Sequence, residues 1–241
     1  MLLAIAVAAV VFATVLAPQS PLYLGFFFSA QHRSETMRAP GNGLSGWVAR
    51  RIMTKVNQQT SAHVVTNFLK VQKGDFVIEL GPGSGHALPA IFSSEPDTVI
   101  GIEISPSFRD ELSSKFASEI QSSRLVVSGD DAIQYLRIHV ADGSVDRILG
   151  SNVVYFLNPL DRYLSEFYRV LQPGGTLVFA VKDMVKTAAA TAAAGQAIFV
   201  NTDWDACLAA MEKAGFQSER KPLQLEDGGP AKYWPLVGTK N

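Results

Sequence analysis

The sequence predicts one α/β domain with a doubly wound, mainly parallel sheet. Three observations carry this. From Asp75 onward, short unbroken apolar runs alternate with amphipathic segments. That is the pattern of strands buried on both faces and joined by helical crossovers. A cluster of glycines, Gly81, Gly83 and Gly85, directly follows the first of these runs, where such sheets place a ligand loop. The chain has 241 residues, 47% of them hydrophobic, and a net charge of -1, which allows one full core and hardly two.

The first element is apolar throughout. Leu2 to Ala17 contains no polar residue except Thr14, and no charged side chain precedes Arg33. A helix over that run reaches about 24 Å, short of a bilayer core of about 30 Å. Part of "LYLGFFF" closes the gap, with Pro18 and Pro21 kinking or ending the helix between them. A cleaved signal peptide would carry a basic leading region, and cleavage after Ala17 would leave Pro18 at the new terminus. A buried core helix would rarely go this long without a charge. The expectation is a hydrophobic membrane anchor over residues 1–30. Its basic residues all lie on the C-terminal side, so the rest of the chain is expected to face the cytosol. The single cysteine, Cys207, agrees with a reducing compartment and excludes a disulfide framework or a cysteine-based zinc site. In "DWDACLAAMEKAGF" it holds an apolar helical position and is read as a small buried residue rather than a nucleophile.

Residues 31–43, polar with Pro and Gly, read as a linker, and the main domain as 44–241. Leu44, Trp47, Val48, Ile52 and Val56 recur near helical spacing, and "SAHVVTNFLKV" reads as a second helix. The strands are "DFVIEL", "TVIGIEI", "RLVVS", "VDRILGS" and "GTLVFAV". Helices "HALPAIFSS", "PSFRDELSSKFASEI", "DDAIQYLRIH" and "PLDRYLSEFYRVL" join them. An alanine-rich run at 187–195 and the segment 203–214 are expected to be helical. "FQSERKPLQL" and "KYWPLVG" are expected to close a seven-stranded sheet as an antiparallel hairpin. The near-neutral charge argues against a dedicated nucleic-acid binder, although Arg33, Arg38, Arg50, Arg51 and Lys55 form a local basic stretch beside Glu35. No His/Cys/Asp cluster suggests a metal site.

The glycine loop follows Glu79 with the spacing G-P-G-S-G, not the G-x-G-x-x-G of dinucleotide folds. Glycine there lets backbone approach a ligand, and a helix opening near His86 would favour a negative group. The second strand ends in Glu103, where a carboxylate can accept both hydroxyls of a ribose. The third ends in "SGDD", placing Asp130 where it could accept from an adenine amino group, while Asp131 reads as a helix cap. Three consecutive strands thus end in carboxylates beside one crevice.

With these residues the sequence resembles the class I S-adenosylmethionine-dependent methyltransferases over roughly residues 60–182. "VIELGPGSG", "GIEIS" and "SGDD" match the family's first three motifs, "VDRILGSNVVYFLNP" its fourth-strand motif and "RVLQPGGTLVF" the helix-turn-strand that follows. Together with "GWVARRIMTKVN", the fourth motif is similar to the ubiquinone-and-sterol-type group of methyltransferases and to soluble phospholipid N-methyltransferases. The resemblance implies a Rossmann-like sheet and S-adenosylmethionine as cofactor. It implies that Glu79 and the loop of Gly81, Pro82, Gly83 and Gly85 hold the methionine end. Glu103 with Ile104 would take the ribose, and Gly129 with Asp130 the adenine. Asn152 is expected beside the cofactor. The chain lacks the [N/D]-P-P-[Y/F] motif of amino-group nucleic-acid methyltransferases.

In-line transfer from an activated methyl needs orientation first, and a base only for a protonated acceptor. No dedicated base stands out. Tyr155 and His63 are the candidates for lining or serving the acceptor, and His86 and His139 read as cap or surface residues. The apolar character of Trp47, Met53 and "AIFV" hints at a lipophilic acceptor, small molecule or lipid. Rival readings are a non-catalytic protein that binds the same cofactor, a protein methyltransferase, and a nicotinamide dehydrogenase, which the glycine spacing and "LQPGG" oppose.

Overall fold

The computed structural model describes residues 35–41, 43–182, 199–225 and 232–241. The expected anchor at 1–30 and the alanine-rich run at 187–195 lie outside the described residues. Among the described residues no helix is long and apolar enough to cross a membrane. In chain order the elements are α1 (Leu44–Val64) with a π-helical turn (Val65–Leu69), β1 (Phe76–Leu80), α2 (Leu88–Phe92), β2 (Thr98–Ile102), α3 (Pro106–Lys115), α4 (Ala117–Gln121) and β3 (Leu125–Ser128). Then follow α5 (Ala132–His139), β4 (Val145–Ser151), a 3-10 turn (Val154–Phe156), α6 (Leu160–Val170), β5 (Leu171–Val181), α7 (Trp204–Lys213), β6 (Phe216–Arg220), β7 (Gln224–Leu225) and β8 (Lys232–Lys240).

The sheet runs β3-β2-β1-β4-β5-β8-β6, with the short β7 paired to β8. The first five strands are mutually parallel. The C-terminal strands close the sheet antiparallel, as the sequence predicts, with β8 lying between β5 and β6. The chain winds outward from β1 through β2 to β3, then returns to β4 on the other side of β1. A crevice therefore opens at the carboxyl ends of β1 and β4.

Strand alternation sorts the core onto two faces. Ile78, Leu80, Ile100 and Ile148 pack with Leu136 of α5, Phe167 of α6 and Met211 of α7. Val77, Val99, Leu149 and Val178 pack on the other face with Val64, Leu69 and the α2 residues Leu88 and Ile91. Each such side chain, fully buried, contributes about 1.5–3 kcal/mol. Cys207 is buried among the first group, and burial pushes its thiol up to about 11, as an inert core residue requires. Buried Glu166 of α6 accepts from Arg137 at 2.8 Å and from Arg169 at 2.9 Å, tying α5 to α6.

Two local expectations change. The two helices expected before β1 are one continuous element. No Gly or Pro occurs from Trp47 to Leu69, and the buried Ser61 hydroxyl donates to the Asn57 carbonyl at 3.0 Å, within the helix. It ends where Lys70 turns left-handed, φ 53°. The helix after the glycine loop starts at Leu88 rather than near His86 and is only five residues long, because the turn over Gly83–Gly85, with Gly85 at φ 76°, is followed by bends at His86 and Ala87. The "LQPGG" stretch forms a bulge: β4 Val145 pairs Leu171 and Arg147 pairs Thr176. A Cβ on Gly175 would lie 2.8 Å from the Gln172 carbonyl oxygen, so the bulge needs glycine there.

Candidate active site

The carboxyl ends of β1, β2 and β4, the glycine loop and the inner face of α1 enclose a cavity of about 230 Å³. Glu79 faces it from β1 because it shares strand parity with Val77 and so points toward α1. The residue is 3% exposed, and its Oε2 has no hydrogen-bond partner. Burial first, and Glu103 second, push its carboxyl up to about 8. Glu103 is equally buried but better supported. Its Oε2 accepts from the Gly83 amide at 2.9 Å and its Oε1 from the Ser105 amide at 2.8 Å. Burial raises its pKa, and these two amides oppose the rise. Arg109 spans the end of β2, donating to the carbonyls of Glu103 and Ile104 at 2.8 and 3.0 Å.

The three loop glycines have different physical reasons. All three are left-handed, with φ of 61°, 57° and 76°. A Cβ on Gly81 would sit 2.6 Å from Val153 Cγ2. A Cβ on Gly85 would sit 2.5 Å from Phe116 and 2.8 Å from Leu112, so Gly85 serves packing against α3 and α4. A Cβ on Gly83 would meet nothing nearer than Phe108 at 3.9 Å, so Gly83 leaves its backbone open to the cavity. Ser84 ties the loop down: its Oγ lies 3.3 Å from Thr54 of α1 and donates to Glu111 at 3.2 Å.

Of the residues the sequence assigns to cofactor binding, Glu79, Gly81, Pro82, Gly83, Glu103, Ile104 and Asn152 line the cavity. Asn152 does so in a left-handed conformation, φ 56°, and its amide donates to Asn57 of α1 at 3.0 Å. Gly85, Gly129 and Asp130 are not lining residues. Exposed Asp130 turns back on its own strand end, accepting from the Ser128 hydroxyl at 2.7 Å. A Cβ on Gly129 would lie 2.7 Å from the Arg109 guanidinium carbon. Asp131 caps α5 as expected, accepting from the Ile133 amide at 2.9 Å, and it also lines the cavity. Its second oxygen accepts from Tyr163 at 2.7 Å, and burial together with that bond pushes the phenol up to about 12.

Tyr155 lines the cavity and is 1% exposed; its hydroxyl donates to the Lys182 carbonyl at 2.8 Å. His63 is placed elsewhere. It follows Ser61 by two residues, about 200° around the helix. Asn57 and Ser61 therefore face the cavity, while His63 pairs through Nδ1 with the Tyr233 hydroxyl. His139 is exposed and stacks near Tyr135, ring centroids 4.8 Å apart. His86 does line the cavity; its Nε2 is buried without a partner, and burial, then Lys115, lowers its pKa. Ser151 Oγ is a third bare polar atom on the same cavity. Buried polar atoms without partners are rare in folded proteins, and here three of them border one space, as a polar ligand would require. Among the described residues no group of three or more His, Cys, Asp or Glu could hold a metal ion.

Sequence reasoning missed two contributions. The linker is not a free tether over 35–41. Glu35 to Arg38 form a helical turn, and Met37 and Arg38 line the cavity. The Pro40 carbonyl accepts from Ser105 Oγ and Ser107 Oγ, each at 2.6 Å. The second is the inward side of α1, Thr54, Asn57 and Ser61. Their near-helical spacing was the available signal, hidden among polar residues that read as surface. Phe199, in the "AIFV" stretch that the sequence links to the acceptor, lines the cavity as well; Val200 donates to the Tyr155 carbonyl at 2.9 Å, and Asn201 donates to the carbonyls of Val154 and Leu157, both at 2.8 Å.

A family described as "Methyltransferase domain" matches residues 78–179, the span from β1 to β5 that carries most of this cavity. The chain is 30% identical over 113 residues to a malonyl-[acyl-carrier protein] O-methyltransferase of Marinomonas sp., covering 46% of this chain and 39% of that one. It is 29% identical over 113 residues to a demethylmenaquinone methyltransferase of Bacteroides fragilis, covering 46% and 45%. The matched segment thus spans less than half the length of these curated relatives. A solved S-adenosylmethionine-dependent methyltransferase of Aquifex aeolicus shares the fold, with a TM-score of 0.57 at 16% identity, covering 80% of this chain and 98% of that one. By the match over β1 to β5, residues 78–179 carry a methyltransferase domain, and the chain shares the fold of a solved S-adenosylmethionine-dependent methyltransferase.

Proposed function

We propose that this chain transfers a methyl group from S-adenosylmethionine to a lipophilic small-molecule or lipid acceptor. The observation that carries the reading is Glu79 Oε2, a buried carboxylate oxygen with no partner, set beside the open backbone of Gly83. A ligand with a cationic amino-acid end fits that pairing, since the charge would satisfy the carboxylate and the glycine leaves room for the chain. When bound, S-adenosylmethionine supplies a methyl group already activated on a sulfonium. The protein's task is then orientation and exclusion of water.

The residues divide that task. Glu79 and the bare Ser151 and His86 atoms would hold the polar methionine end. Glu103, kept in place by two backbone amides, has lone pairs left for ribose hydroxyls. Met37, Met53, Phe156, Leu157 and Phe199 supply the apolar wall for an acceptor. Tyr155 serves to position, its hydroxyl donating to the Lys182 carbonyl and lying against Asn152 Oδ1. His63, engaged by Tyr233, takes no part at the cavity. The names of the two relatives, one acting on an acyl-carrier-bound malonyl group and one on demethylmenaquinone, support a non-macromolecular methyl-accepting group. We also place the protein at a membrane, on the strength of the charge-free stretch before Arg33.

The test is untargeted transfer of radiolabelled methyl groups into lipid and polar extracts by the purified chain. Label in an organic-soluble product is expected. Label confined to water-soluble products or to protein would sink the lipophilic acceptor, and cofactor binding without any transfer would sink the enzyme. Sedimentation of the chain with membranes, resistant to alkaline wash, is expected; recovery in the supernatant would sink the membrane placement.

A further inference from the structure

Glu79 and Glu103 end neighbouring strands and border one cavity, but their surroundings differ in kind. Both oxygens of Glu103 accept backbone amides, which support a negative charge. Glu79 has a buried oxygen with no donor, and its charged neighbour is Glu103 itself. The other groups around this end of the cavity offer it no cation. From the glycine loop, His86 has its pKa lowered by burial and by Lys115, so its imidazole is uncharged at neutral pH. From α1 come the neutral Asn57 and Ser61, and from the end of β4 the neutral Ser151 and Asn152. On α3, Arg109 is bonded to the carbonyls of Glu103 and Ile104, and Lys115 is paired with Glu111. Arg38, from the segment before α1, and Lys182, beyond β5, also line the cavity, but what acts on the Glu79 carboxyl is burial and Glu103, neither of these cations. A buried carboxylate in such a setting either holds a proton or waits for a cation, since an isolated buried charge is strongly unfavourable.

We propose that Glu79 carries a proton in the absence of ligand and gives it up when the cationic end of S-adenosylmethionine arrives, so that Glu79 selects for a charged ligand and binding releases a proton. This rests on the functional reading above. The balance is simple: the Glu79 O–H bond breaks, the proton goes to solvent, and the carboxylate pairs with the ligand cation. No redox partner is involved. The selection follows from the same exchange, because a neutral analogue would leave the proton in place and gain no ion pair.

Titration calorimetry of the full chain tests this, with S-adenosylmethionine and S-adenosylhomocysteine in buffers of different ionisation enthalpy. At pH 7, a carboxyl raised to about 8 predicts release of roughly 0.9 proton per ligand bound. The observed enthalpy should therefore vary linearly with the buffer's. Release with both ligands assigns the displacing charge to their shared ammonium group; release with S-adenosylmethionine alone assigns it to the sulfonium. Glu79→Gln should bind more weakly and lose the buffer dependence, and Glu79→Asp should keep it. Binding with no buffer dependence in the unaltered chain overturns the proposal and leaves methyl transfer standing. Dependence that survives in Glu79→Gln also overturns it. Failure of both ligands to bind overturns this inference and the parent reading together.

Discussion

Glu79 makes the stability of the ligand-free chain depend on pH in an unusual direction. Its carboxyl is raised from 4.5 to about 8, so between those values the folded chain holds a proton that the unfolded chain has lost. Stability should then fall as pH rises through that window, by a total on the order of 5 kcal/mol. Urea midpoints measured between pH 5 and 8 should decline, and Glu79→Gln should flatten the decline. A flat profile in the unaltered chain would argue that the carboxylate is solvated after all. At the same scale, Gly83→Ala and Gly85→Ala should part company. Both pay about 1–2 kcal/mol for a left-handed alanine. Gly85→Ala also drives a Cβ to 2.5 Å from Phe116, so it should cost several kcal/mol in thermal unfolding. Gly83→Ala meets no such neighbour, and its loss should appear mainly in cofactor affinity. Equal effects of the two on affinity and melting would contradict the division of roles.

At the scale of elements, the cavity is made from parts that are not adjacent in the chain. The segment 35–41 is held there by its carbonyls: Pro40 O accepts from two serines at the start of α3, and Gly41 O accepts from Arg50 of α1. Ser105 has a second duty as cap of α3, through Phe108, whereas Ser107 has none at the helix terminus. Ser107→Ala should therefore remove about 1 kcal/mol and loosen the segment without undoing α3. Hydrogen exchange should speed up at residues 36–41 while α3 amides stay protected. Unchanged exchange there would show that Pro40 is held by other means. α1 illustrates the same point. Its turn-by-turn spacing sends Thr54, Asn57 and Ser61 to the cavity and His63 to Tyr233, a difference of two residues in sequence and a different neighbourhood in space.

For the molecule as a whole, β8 is the element on which the C-terminal third depends. It is the antiparallel partner of both β5 and β6, and its Tyr233 and Leu236 are fully buried. Losing those two side chains alone removes roughly 3–6 kcal/mol, comparable with a typical total stability of about 5–15 kcal/mol. A chain ending at Leu225 should be poorly soluble and lack near-ultraviolet dichroism. A folded, soluble product would mean that β5 can serve as an edge strand. The doubly wound order, the strand positions, the C-terminal hairpin and the buried Cys207 were legible in sequence because each rests on local periodicity or composition. So was the meeting of Glu79, the Gly81–Gly83 backbone and Glu103 at one cavity, because strand-end position alone carries it. The turn of Asp130 back onto Ser128 and the pairing of His63 with Tyr233 were not, since side-chain direction depends on backbone turns and helix rotation that periodicity leaves open. Met37 and Arg38 were not either, because loops reach a site through long-range hydrogen bonds that leave no spacing to read, whereas Phe199 belongs to the apolar "AIFV" stretch that the sequence links to the acceptor. Sequence by itself determined the class of fold and the chemistry of its strand ends. Only the tertiary structure decided which of those strand-end acids face the cavity and which distant segments wall it, because side-chain direction and loop closure are set by packing between elements far apart in the chain.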